Sequence, residues 1–427
     1  MSSVAFFISM PRTLRFCHFA TFYPPYSFGG DALYVFRLAN SLASRGHEVD
    51  VVHCADSYNL LAGRTSLSPL PHHPGVTVHT LRSRLGRLSP LLTQQTGRPW
   101  LKTGKIRRIL QGKKFDVLHF HNTSLFGPKL LECDPGYTGF VRLYTTHEHW
   151  LICPMHVLWK NGNRLCDRPR CFSCTLRFCR PPQWWRYTSL LQKSAEFVDA
   201  FISPSRFTME MHRQRGFSKP FVQLPYFTPA PEPTAESPHR RPFFLFAGRL
   251  EKIKGLQSVI PLFRQYKGAD LIVAGKGNYE PELRRLAHGL ENVVFLGWMP
   301  LEQLSALYRS AIALIVPSIC YEVFPLVLLE AFSSRTPVIV NALGSLSEIV
   351  RECQGGLEFS SQEELLAAMG RLQSDRDLRS QLGHNAYQGW EEKWTERAHL
   401  RSYFSLLAET ALRKYGRIPW EQNAEDV

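Results

Sequence analysis

Two glutamates stand eight residues apart in the stretch SICYEVFPLVLLEAFSSRTPVIVN, which covers residues 318–341. An apolar segment of buried-strand character precedes it, Glu322 lies in the following loop, and Pro325 can begin a helix that contains Glu330. This strand, loop, helix and further apolar strand are typical of a parallel sheet, whose ligands bind at the carboxyl ends of the strands. A carboxylate accepts hydrogen bonds from neighbouring hydroxyls, so the two glutamates are suited to hold a sugar and a ribose.

Backbone amides between the two glutamates add a second kind of binding group. The amides of Phe324, Leu326 and Val327 stand at the start of the predicted helix, where they have no intrahelical acceptor and the helix dipole is positive. They are therefore suited to an anion, and hydroxyl binders on both sides of a phosphate binder match a nucleotide-sugar. The alternative is that Glu322 is an ordinary loop residue and Glu330 a solvated helix residue.

Two further places combine a predicted strand with phosphate-binding groups. Arg249 and Lys254 follow an apolar strand in the sequence GRLEKIKG, and a helix is expected after them. Arginine can contact a diphosphate with two parallel hydrogen bonds, and lysine contacts it as a point charge. Near the N-terminus, Gly29 and Gly30 follow the first predicted strand and let the backbone approach a phosphate. The next residue, Asp31, is expected to cap the helix that begins there.

Histidines stand at the carboxyl ends of two other predicted strands. The segment FDVLHFH ends at His121, which shares a strand face with His119, and the segment VRLYTTHEH places His147 directly after the next strand. Chemistry in open parallel sheets takes place at these strand ends. A single histidine is more often structural than catalytic, but three of them at strand ends in one domain favour a functional role.

Taken together, these motifs resemble those of the retaining glycosyltransferases of family 4, which have the GT-B fold and use nucleotide-sugars. The resemblance rests on the E-x7-E spacing with its flanking AF and PVI, the opening YPP, GG and RGHEV, the segments DVLHFH and TTHE, and GRL followed by KG. The chain departs from the family pattern at Arg335 and Ser345, where glycines are usual, and at Glu148, where aspartate is common. The first two departures bear on sugar specificity rather than on the fold.

The resemblance implies an α/β protein of the GT-B class, in which two Rossmann-like domains place their parallel sheets on either side of a cleft. The first domain is expected on the acceptor side, the second is expected to bind the nucleotide-sugar, and the last helix is expected to return toward the first domain. The expected boundaries are 1–228 for the N-terminal domain, 229–241 for a Pro-rich linker, 242–400 for the C-terminal domain and 401–427 for the returning helix.

The resemblance also implies roles for individual residues. Arg249 and Lys254 would stabilise the leaving diphosphate, Glu322 would hold sugar hydroxyls, and Glu330 would hold the ribose. His121 would lie near the donor sugar as part of the catalytic set, and His147 would lie on the acceptor side. The expected donor-binding residues are Gly29, Gly30, Arg249, Lys254, Glu322, Phe324, Pro325, Leu326 and Glu330.

Length and composition bound the class of protein independently of any motif. The chain has 427 residues, of which 44% are hydrophobic and 20% charged, and its formal net charge is +15. The length predicts two domains, and the composition is ordinary for a soluble globular protein. No apolar run reaches the roughly 18 residues that span a bilayer, and the N-terminal residues lack the basic region of a signal peptide. The positive charge indicates an anionic partner.

One segment concentrates that charge. No acidic residue stands between Asp56 and Asp116, whereas eleven lysines and arginines do, with apolar residues among them. Such a segment suits an anionic membrane surface, so we expect a cytoplasmic protein that is peripheral at the inner face of the membrane and acts on a glycan or a lipid-linked acceptor. The alternative is a solvated basic helix. The basic residues are Arg64, Arg82, Arg84, Arg87, Arg98, Lys102, Lys105, Arg107, Arg108, Lys113 and Lys114.

Five of the ten cysteines cluster between residues 153 and 179. Cys171 and Cys174 form a C-x2-C pair, and four thiolates can hold zinc tetrahedrally. However, the spacing matches no standard zinc finger, and a cytosolic setting disfavours disulfides. Free thiols are therefore expected, with a structural zinc at Cys166, Cys171 and Cys174 left open. The resemblance implies that the transfer itself needs no metal and no other cofactor.

Two rival functions remain open on the sequence. A protein that binds nucleic acid or another polyanion would explain the charge, but it would place its basic residues on one face and would have no use for the paired glutamates. A sugar-nucleotide epimerase of the same fold would need an acid–base pair in the cleft rather than the pair of Arg249 and Lys254. We favour glycosyl transfer and expect no nucleic-acid partner.

Overall fold

The computed structural model describes residues 12–27, 29–61, 70–231 and 239–420. Arg64 and most of the predicted linker therefore lie outside the described residues. The strands of the first half are β1 Arg15–Phe19, β2 Glu48–Cys54, β3 Val76–Leu81, β4 Val117–Phe120, β5 Val141–Thr145, β6 Trp159–Lys160, β7 Arg164–Leu165, β8 Ala200–Ser203 and β9 Phe221–Gln223. The strands of the second half are β10 Phe243–Ala247, β11 Asp270–Ala274, β12 Val293–Gly297, β13 Leu314–Val316, β14 Val338–Asn341 and β15 Gly356–Phe359.

Each half of the described chain forms one wholly parallel sheet. The first sheet has the order β3-β2-β1-β4-β5-β8-β9 and the second the order β12-β11-β10-β13-β14-β15. The central strands β1, β4, β10 and β13 are buried except at Arg15, and their buried residues are apolar apart from His18 and His119. Such burial is expected where helices cover both faces of a parallel sheet. Strands β6 and β7 form a separate antiparallel hairpin. The predicted pair of Rossmann-like domains is thus confirmed.

Helices connect the strands within each half. The helices of the first half are α1 Gly30–Ala43, α2 Ala55–Leu61, α3 Leu88–Thr96, α4 Thr103–Gly112, α5 Cys171–Arg177, α6 Leu190–Ala195 and α7 Arg206–Gln214. Those of the second half are α8 Glu280–Leu286, α9 Leu301–Ser310, α10 Leu326–Ser333, α11 Ser345–Cys353, α12 Gln362–Ser374, α13 Arg376–Lys393 and α14 Glu396–Tyr415. None of the described helices is both long enough and apolar enough to cross a membrane.

Helix α14 lies against the first sheet. The Lys414 ammonium contacts the Asp199 carboxylate at 2.8 Å, and the Tyr403 hydroxyl lies 3.0 Å from Nδ1 of His119 in β4. The chain passes from the first domain to the second after Thr228 and returns at Thr395. These two crossings lie side by side, since the amide of Thr228 donates to the carbonyl of Trp394 at 3.1 Å and Thr228 forms a parallel bridge with Thr395.

Two local predictions were wrong. Helix α1 begins at Gly30 with Gly29 as its N-cap, so Asp31 lies inside the first turn and its side chain accepts from Asn122 instead of capping. The helix expected after GRLEKIKG is absent, and the chain forms short 3-10 turns at 252–254, 256–258 and 260–264 instead. Gly255 separates the first two turns in a left-handed conformation with φ of 77°. A side chain there would place its Cβ 1.8 Å from the carbonyl oxygen of Pro317, so the chain packs directly on the loop after β13.

Candidate active site in the interdomain cleft

A cavity of about 840 Å³ lies between the carboxyl ends of the two sheets. Residues that directly follow β4, β5, β10 and β13 line it, which places the ends of both sheets on one space. All nine residues that the sequence predicts to bind the donor line the cavity. They are Gly29, Gly30, Arg249, Lys254, Glu322, Phe324, Pro325, Leu326 and Glu330. His147 lines it as well, whereas His121 does not.

Lys254 and Glu322 form an ion pair on the wall of the second domain. The Lys254 ammonium lies 2.7 Å from Oε1 of Glu322, and the Ser318 hydroxyl donates to the same oxygen at 2.6 Å. Burial opposes both charges, but the attraction between the two groups prevails, so the pKa of Glu322 falls below its usual range and the pKa of Lys254 rises above it. Both groups are therefore charged at neutral pH. An ammonium already fixed beside the cavity is preorganised to meet an anion.

Arg249 stands on the same wall but is more open to water. Its Nη1 lies 2.7 Å from Oε1 of Glu251, and half of its side chain is exposed. A half-exposed guanidinium can exchange its carboxylate partner for a diphosphate without leaving a buried charge unpaired. Arg249 and Lys254 are thus both available to an anionic ligand, and Lys254 is the more firmly held of the two.

The amino end of α10 faces the cavity as the sequence predicts. The backbone amides of Phe324, Leu326 and Val327 donate to no acceptor within the described chain. Helix α1 approaches this end so closely that a Cβ added to Gly30 would stand 3.2 Å from Cδ1 of Leu326. The glycine therefore allows the two domains to meet beside a ready anion-binding turn.

Glu330 has partners that the sequence did not reveal. It is nearly buried, its Oε2 accepts from the Tyr308 hydroxyl at 3.1 Å, and its Oε1 lies 3.5 Å from Nη2 of Arg37 in α1 of the other domain. Burial lowers the pKa of Arg37, and Glu330 partly offsets this shift. A carboxylate has about four acceptor positions, so Glu330 keeps capacity for a ribose while it anchors Arg37.

The histidines form a buried row behind the cavity rather than a set that lines it. His18, His119 and His121 are fully buried in the first sheet, and His147 separates His121 from the cavity. Burial lowers the pKa of His121 well below its usual range and the pKa of His147 to about 3, so the rings are neutral at physiological pH. A direct contact between His121 and the donor sugar thus has no support in this geometry, and His147 is the ring that a ligand would meet.

Sequence reasoning missed several polar groups on the first-domain wall. Asp31, Glu148 and Tyr226 all line the cavity, and Nδ1 of His156 lies 2.6 Å from Oε2 of Glu148. Burial and the neighbouring Glu148 raise the pKa of Asp31, an effect that its hydrogen bonds and Arg249 only partly oppose. Glu148 belongs to the TTHE motif and could have been found there. Tyr226 follows a short edge strand with no motif around it, so the sequence held no signal for it.

The cysteine cluster surrounds the β6–β7 hairpin and α5, and Cys179 lines the cavity. Cys153 and Cys174 pack with Met155 and Leu158 in a small apolar cluster, and Cys166 lies at its edge. Among the residues that the structure describes, the one group of three side chains with the spacing of metal ligands is His18, His119 and His121. The cysteines do not form such a group in this arrangement, so a zinc site there would require their sulfur atoms to draw closer.

Solved structures with the same architecture cover almost the whole chain. Sucrose-phosphate synthase from Thermosynechococcus elongatus superposes with a TM-score of 0.70 at 21% identity and covers 93% of this chain and 98% of its own. HepE from Anabaena, solved in complex with UDP, superposes with a TM-score of 0.64 at 18% identity. The superposition covers 92% of this chain and 99% of HepE. Two parallel α/β domains around a cleft of this construction have the GT-B fold.

Comparison of the sequence leads to the family. The model described as Glycosyltransferase Family 4 matches residues 28–226, and the model described as Glycosyl transferases group 1 matches residues 232–389. The chain belongs to glycosyltransferase family 4.

Two curated relatives illustrate the range of similarity. An uncharacterized glycosyltransferase of Methanocaldococcus jannaschii is 35% identical over 159 residues, which are 35% of this chain and 40% of the relative. A D-inositol 3-phosphate glycosyltransferase of Pseudarthrobacter chlorophenolicus is 27% identical over 361 residues, which are 77% of this chain and 78% of the relative.

Proposed function

We propose that this protein transfers a sugar from a nucleotide-sugar to a hydroxyl of a glycan or a lipid-linked acceptor, with retention of the anomeric configuration and without a catalytic metal. The observation that carries the proposal is the Lys254–Glu322 pair beside the unpaired amides of Phe324, Leu326 and Val327. A cation and free amides suit a diphosphate, and the carboxylates of Glu322 and Glu330 on either side suit hydroxyl groups.

In the proposed reaction the bond between the sugar and the phosphate loosens into an oxocarbenium-like state. Lys254, Arg249 and the amides at the start of α10 stabilise the charge that develops on the leaving diphosphate. Glu322 holds sugar hydroxyls through the carboxylate oxygen that neither Lys254 nor Ser318 occupies. The acceptor hydroxyl attacks from the face that the diphosphate leaves, and the diphosphate takes its proton.

The names of similar proteins support the donor and the general setting. HepE structures are described with UDP, with UDP and glucose, and with UDP-glucose. An uncharacterized protein of the cps region of Klebsiella pneumoniae is 25% identical over 78% of this chain, and the lipopolysaccharide glycosyltransferase WaaG shares the fold with a TM-score of 0.57. We therefore place the activity in the biosynthesis of a surface polysaccharide or glycolipid.

A panel of nucleotide-sugars tests the proposal. One nucleotide-sugar and its free nucleoside diphosphate are expected to raise the midpoint of thermal unfolding, because a ligand at a hundred times its Kd stabilises the native state by about 2.7 kcal/mol. The donor so identified then serves in a transfer assay, and the anomeric coupling constant of the product is read by NMR. An inverted product would contradict retention. Conversion of the sugar without transfer would indicate the epimerase, and stabilisation by polyanions alone would indicate the binding protein.

Transfer is expected to continue at an unchanged rate in excess EDTA, because Arg249 and Lys254 neutralise the diphosphate in place of a metal. The measurement is the initial rate before and after dialysis against chelator, with thermal unfolding of the same samples as the control. A loss of rate that magnesium restores, with folding intact, would contradict this prediction. A loss that follows unfolding would instead point to a structural zinc at Cys166, Cys171 and Cys174.

We also propose that the protein binds an anionic membrane through the predicted basic segment. Leu88 and Leu92 of α3 and Trp100 beside it are about half exposed, and Trp184 is exposed on the turn whose Trp185 donates to the carbonyl of Gln94 in α3. These apolar side chains are exposed together with basic residues of the same segment, namely Arg84, Arg87, Arg98, Lys105, Arg107 and Arg108. A surface of this composition suits the interface of an anionic bilayer.

Two basic residues of the segment cannot contribute to such a surface. Lys102 is 1% exposed and lies 3.3 Å from the Asp56 carboxylate. Lys113 is held between Glu48 and Asp50 at 2.8 and 2.7 Å. Their charges are neutralised within the first domain, so the membrane-facing charge comes from the exposed basic residues of α4 and of the segments on either side of α3.

Replacing Lys105, Arg107 and Arg108 with serine is expected to weaken binding to anionic liposomes at least about tenfold, because each basic side chain near an anionic leaflet contributes about 1 kcal/mol. Flotation measures the bound fraction, which should fall in high salt. The matched control replaces Arg371, Arg376 and Arg397, which are exposed in the second domain. Equal flotation on neutral lipid, or equal loss in the control, would contradict the prediction and leave the transferase assignment intact.

A further inference from the structure

An unbroken row of hydrogen-bonded rings runs from the core of the first sheet to the wall of the cavity. Nδ1 of His18 lies 2.9 Å from Nε2 of His121, and Nδ1 of His121 lies 2.9 Å from Nε2 of His147. Nδ1 of His147 then lies 2.5 Å from the hydroxyl of Tyr226, which lines the cavity. Each histidine in the row uses Nδ1 toward the cavity, so the row has a direction as well as a path.

The inner end of the row fixes where the protons lie. A neutral imidazole carries one N–H and one bare nitrogen, and burial lowers the pKa of all three rings, so they stay neutral. If the hydrogens pointed inward, Nε2 of His18 would carry a buried N–H, yet this atom has no hydrogen-bond partner in the described part of the chain. Buried N–H groups without an acceptor are rarer than acceptors without a donor. The favoured arrangement therefore places the hydrogen on Nδ1 of all three rings.

The hydrogen-bond partners of the ring nitrogens also disfavour a metal at His18, His119 and His121. Both ring nitrogens of His119 already contact hydroxyls, those of Tyr403 and Thr145 at 3.0 and 2.8 Å. Both ring nitrogens of His121 contact other histidines. Only Nε2 of His18 is left free, whereas a metal site of this kind needs three free nitrogens.

The consequence falls on Tyr226. Because its oxygen accepts the hydrogen of His147, its own O–H is left to point elsewhere, and it donates to no group in the described residues. Burial raises the pKa of Tyr226 well above its usual range, so the hydroxyl keeps its hydrogen. The ring packs edge-on against Phe324, with centroids 5.4 Å apart. Phe324 supplies the first free amide of the anion-binding turn, and Tyr226 and Phe324 line the same cavity, in which the diphosphate is expected to bind.

We propose that Tyr226 is a donor-binding residue whose hydroxyl donates a hydrogen bond to a diphosphate oxygen of the nucleotide-sugar, and that His18, His121 and His147 position it by fixing the direction of that hydrogen. This inference rests on the proposed function. It also gives the histidines a role that does not require His121 to touch the substrate.

The direction of the row is tested on the wild-type protein by NMR of protein labelled with 15N-histidine, with assignment by single substitutions. The expected result is the tautomer with the hydrogen on Nδ1 for His18, His121 and His147. Hydrogen on Nε2 of these rings would overturn the proposal. The tautomers are measured without any glycosyl transfer. The NMR experiment can therefore overturn the role of the histidines while the proposed function stands.

The contact with the diphosphate is tested with Tyr226→Phe, which keeps the ring and removes only the hydroxyl. The probes are UDP, GDP and ADP in calorimetric titrations, and the wild type is expected to bind at least one of them. The variant is expected to bind that diphosphate about tenfold more weakly, the range for a hydrogen bond to a charged group. The matched control is Tyr415→Phe, since the Tyr415 hydroxyl donates to Phe140 far from the cavity.

The outcomes separate the two claims. If wild type and Tyr226→Phe bind the diphosphate equally, the role of Tyr226 is overturned and the proposed function stands. If the wild type binds none of the three diphosphates, both are overturned. If the variant unfolds at a lower temperature than the control, Tyr226→Phe is compared with Tyr226→Leu, and a binding loss confined to Leu would assign the effect to packing and overturn the proposal.

Discussion

Replacing Lys254 with alanine is expected to lower the rate of glycosyl transfer about a hundredfold or more. Lys254 is held beside the cavity by Glu322 and Ser318, so its charge is in place before the diphosphate develops its own. Removing one preorganised donor of this kind typically costs about 3 kcal/mol of transition-state stabilisation, which is about a hundredfold in rate. Arg249→Ala is expected to cost less, at least about tenfold, because Arg249 is half exposed to water.

Lys254→Ala leaves the Glu322 carboxylate without its cation and can therefore destabilise the fold. A second variant is needed to separate the effect on catalysis from the effect on folding. The double variant Lys254→Met with Glu322→Gln removes both charges, and it should recover stability while activity stays low. Lys252→Ala is the matched control, since Lys252 is exposed in the same short turn. The measurement is kcat and kcat/KM with the donor identified by the panel. A fully folded Lys254→Ala enzyme with a rate near that of the wild type would contradict the proposal that Lys254 stabilises the leaving diphosphate.

Replacing Glu330 with glutamine is expected to affect both stability and donor binding. The change leaves the Arg37 guanidinium buried without a counter-charge, and breaking a buried pair in this way costs about 3 kcal/mol of the free energy of unfolding. It also replaces one carboxylate oxygen proposed to accept from the ribose hydroxyls with an NH2 donor and removes the negative charge, so turnover is expected to fall at least about tenfold, or about 1.4 kcal/mol. Denaturant unfolding and steady-state kinetics measure the two effects.

A second substitution separates these two roles. Arg37→Met combined with Glu330→Gln removes the whole pair and is expected to restore most of the stability, because neither charge is then left buried alone. The ribose role is read from the ratio of the Kd values of two ligands, the nucleoside diphosphate that the panel identifies and its 2′,3′-dideoxy analogue. The wild type should favour the diphosphate with the intact ribose about tenfold, and the double variant should show almost no preference. Glu302→Gln on the exposed face of α9 is the control, and an unchanged ratio in the double variant would refute the ribose assignment.

The local chemistry of the second domain was readable from the sequence. A loop, a helix opened by Pro325 and a buried strand follow one another in residues 317–341, and the structure has α10 and β14 at those places. Apolar strands and the residues at their carboxyl ends carry this information within a few positions. The same logic brought Arg249, Lys254 and Glu322 to one wall of the cavity.

Contacts between distant segments were not readable. Arg37 stands in the middle of an ordinary amphipathic helix, and nothing near it in the sequence indicates that it meets Glu330 in the other domain. The ring row likewise joins His18, His121, His147 and Tyr226 from four separate segments. The missing helix after Gly255 has a similar origin, since the close approach of Pro317 is a tertiary constraint that helix propensity does not report.

The two adjacent crossings at Thr228 and Thr395 limit how the domains can move. A single flexible connection would leave the second domain free to translate and to turn about several axes. Trp390 donates to the Thr228 hydroxyl at 2.9 Å and helps to hold the two connections side by side. We expect such a pair to act as a hinge that leaves mainly rotation about the line through the two connections. Opening by this rotation would separate Arg37 from Glu330 at the far side of α10 while it keeps the two walls in register. Each closure would then return Lys254 and Tyr226 to the same relative position, without a search over orientations.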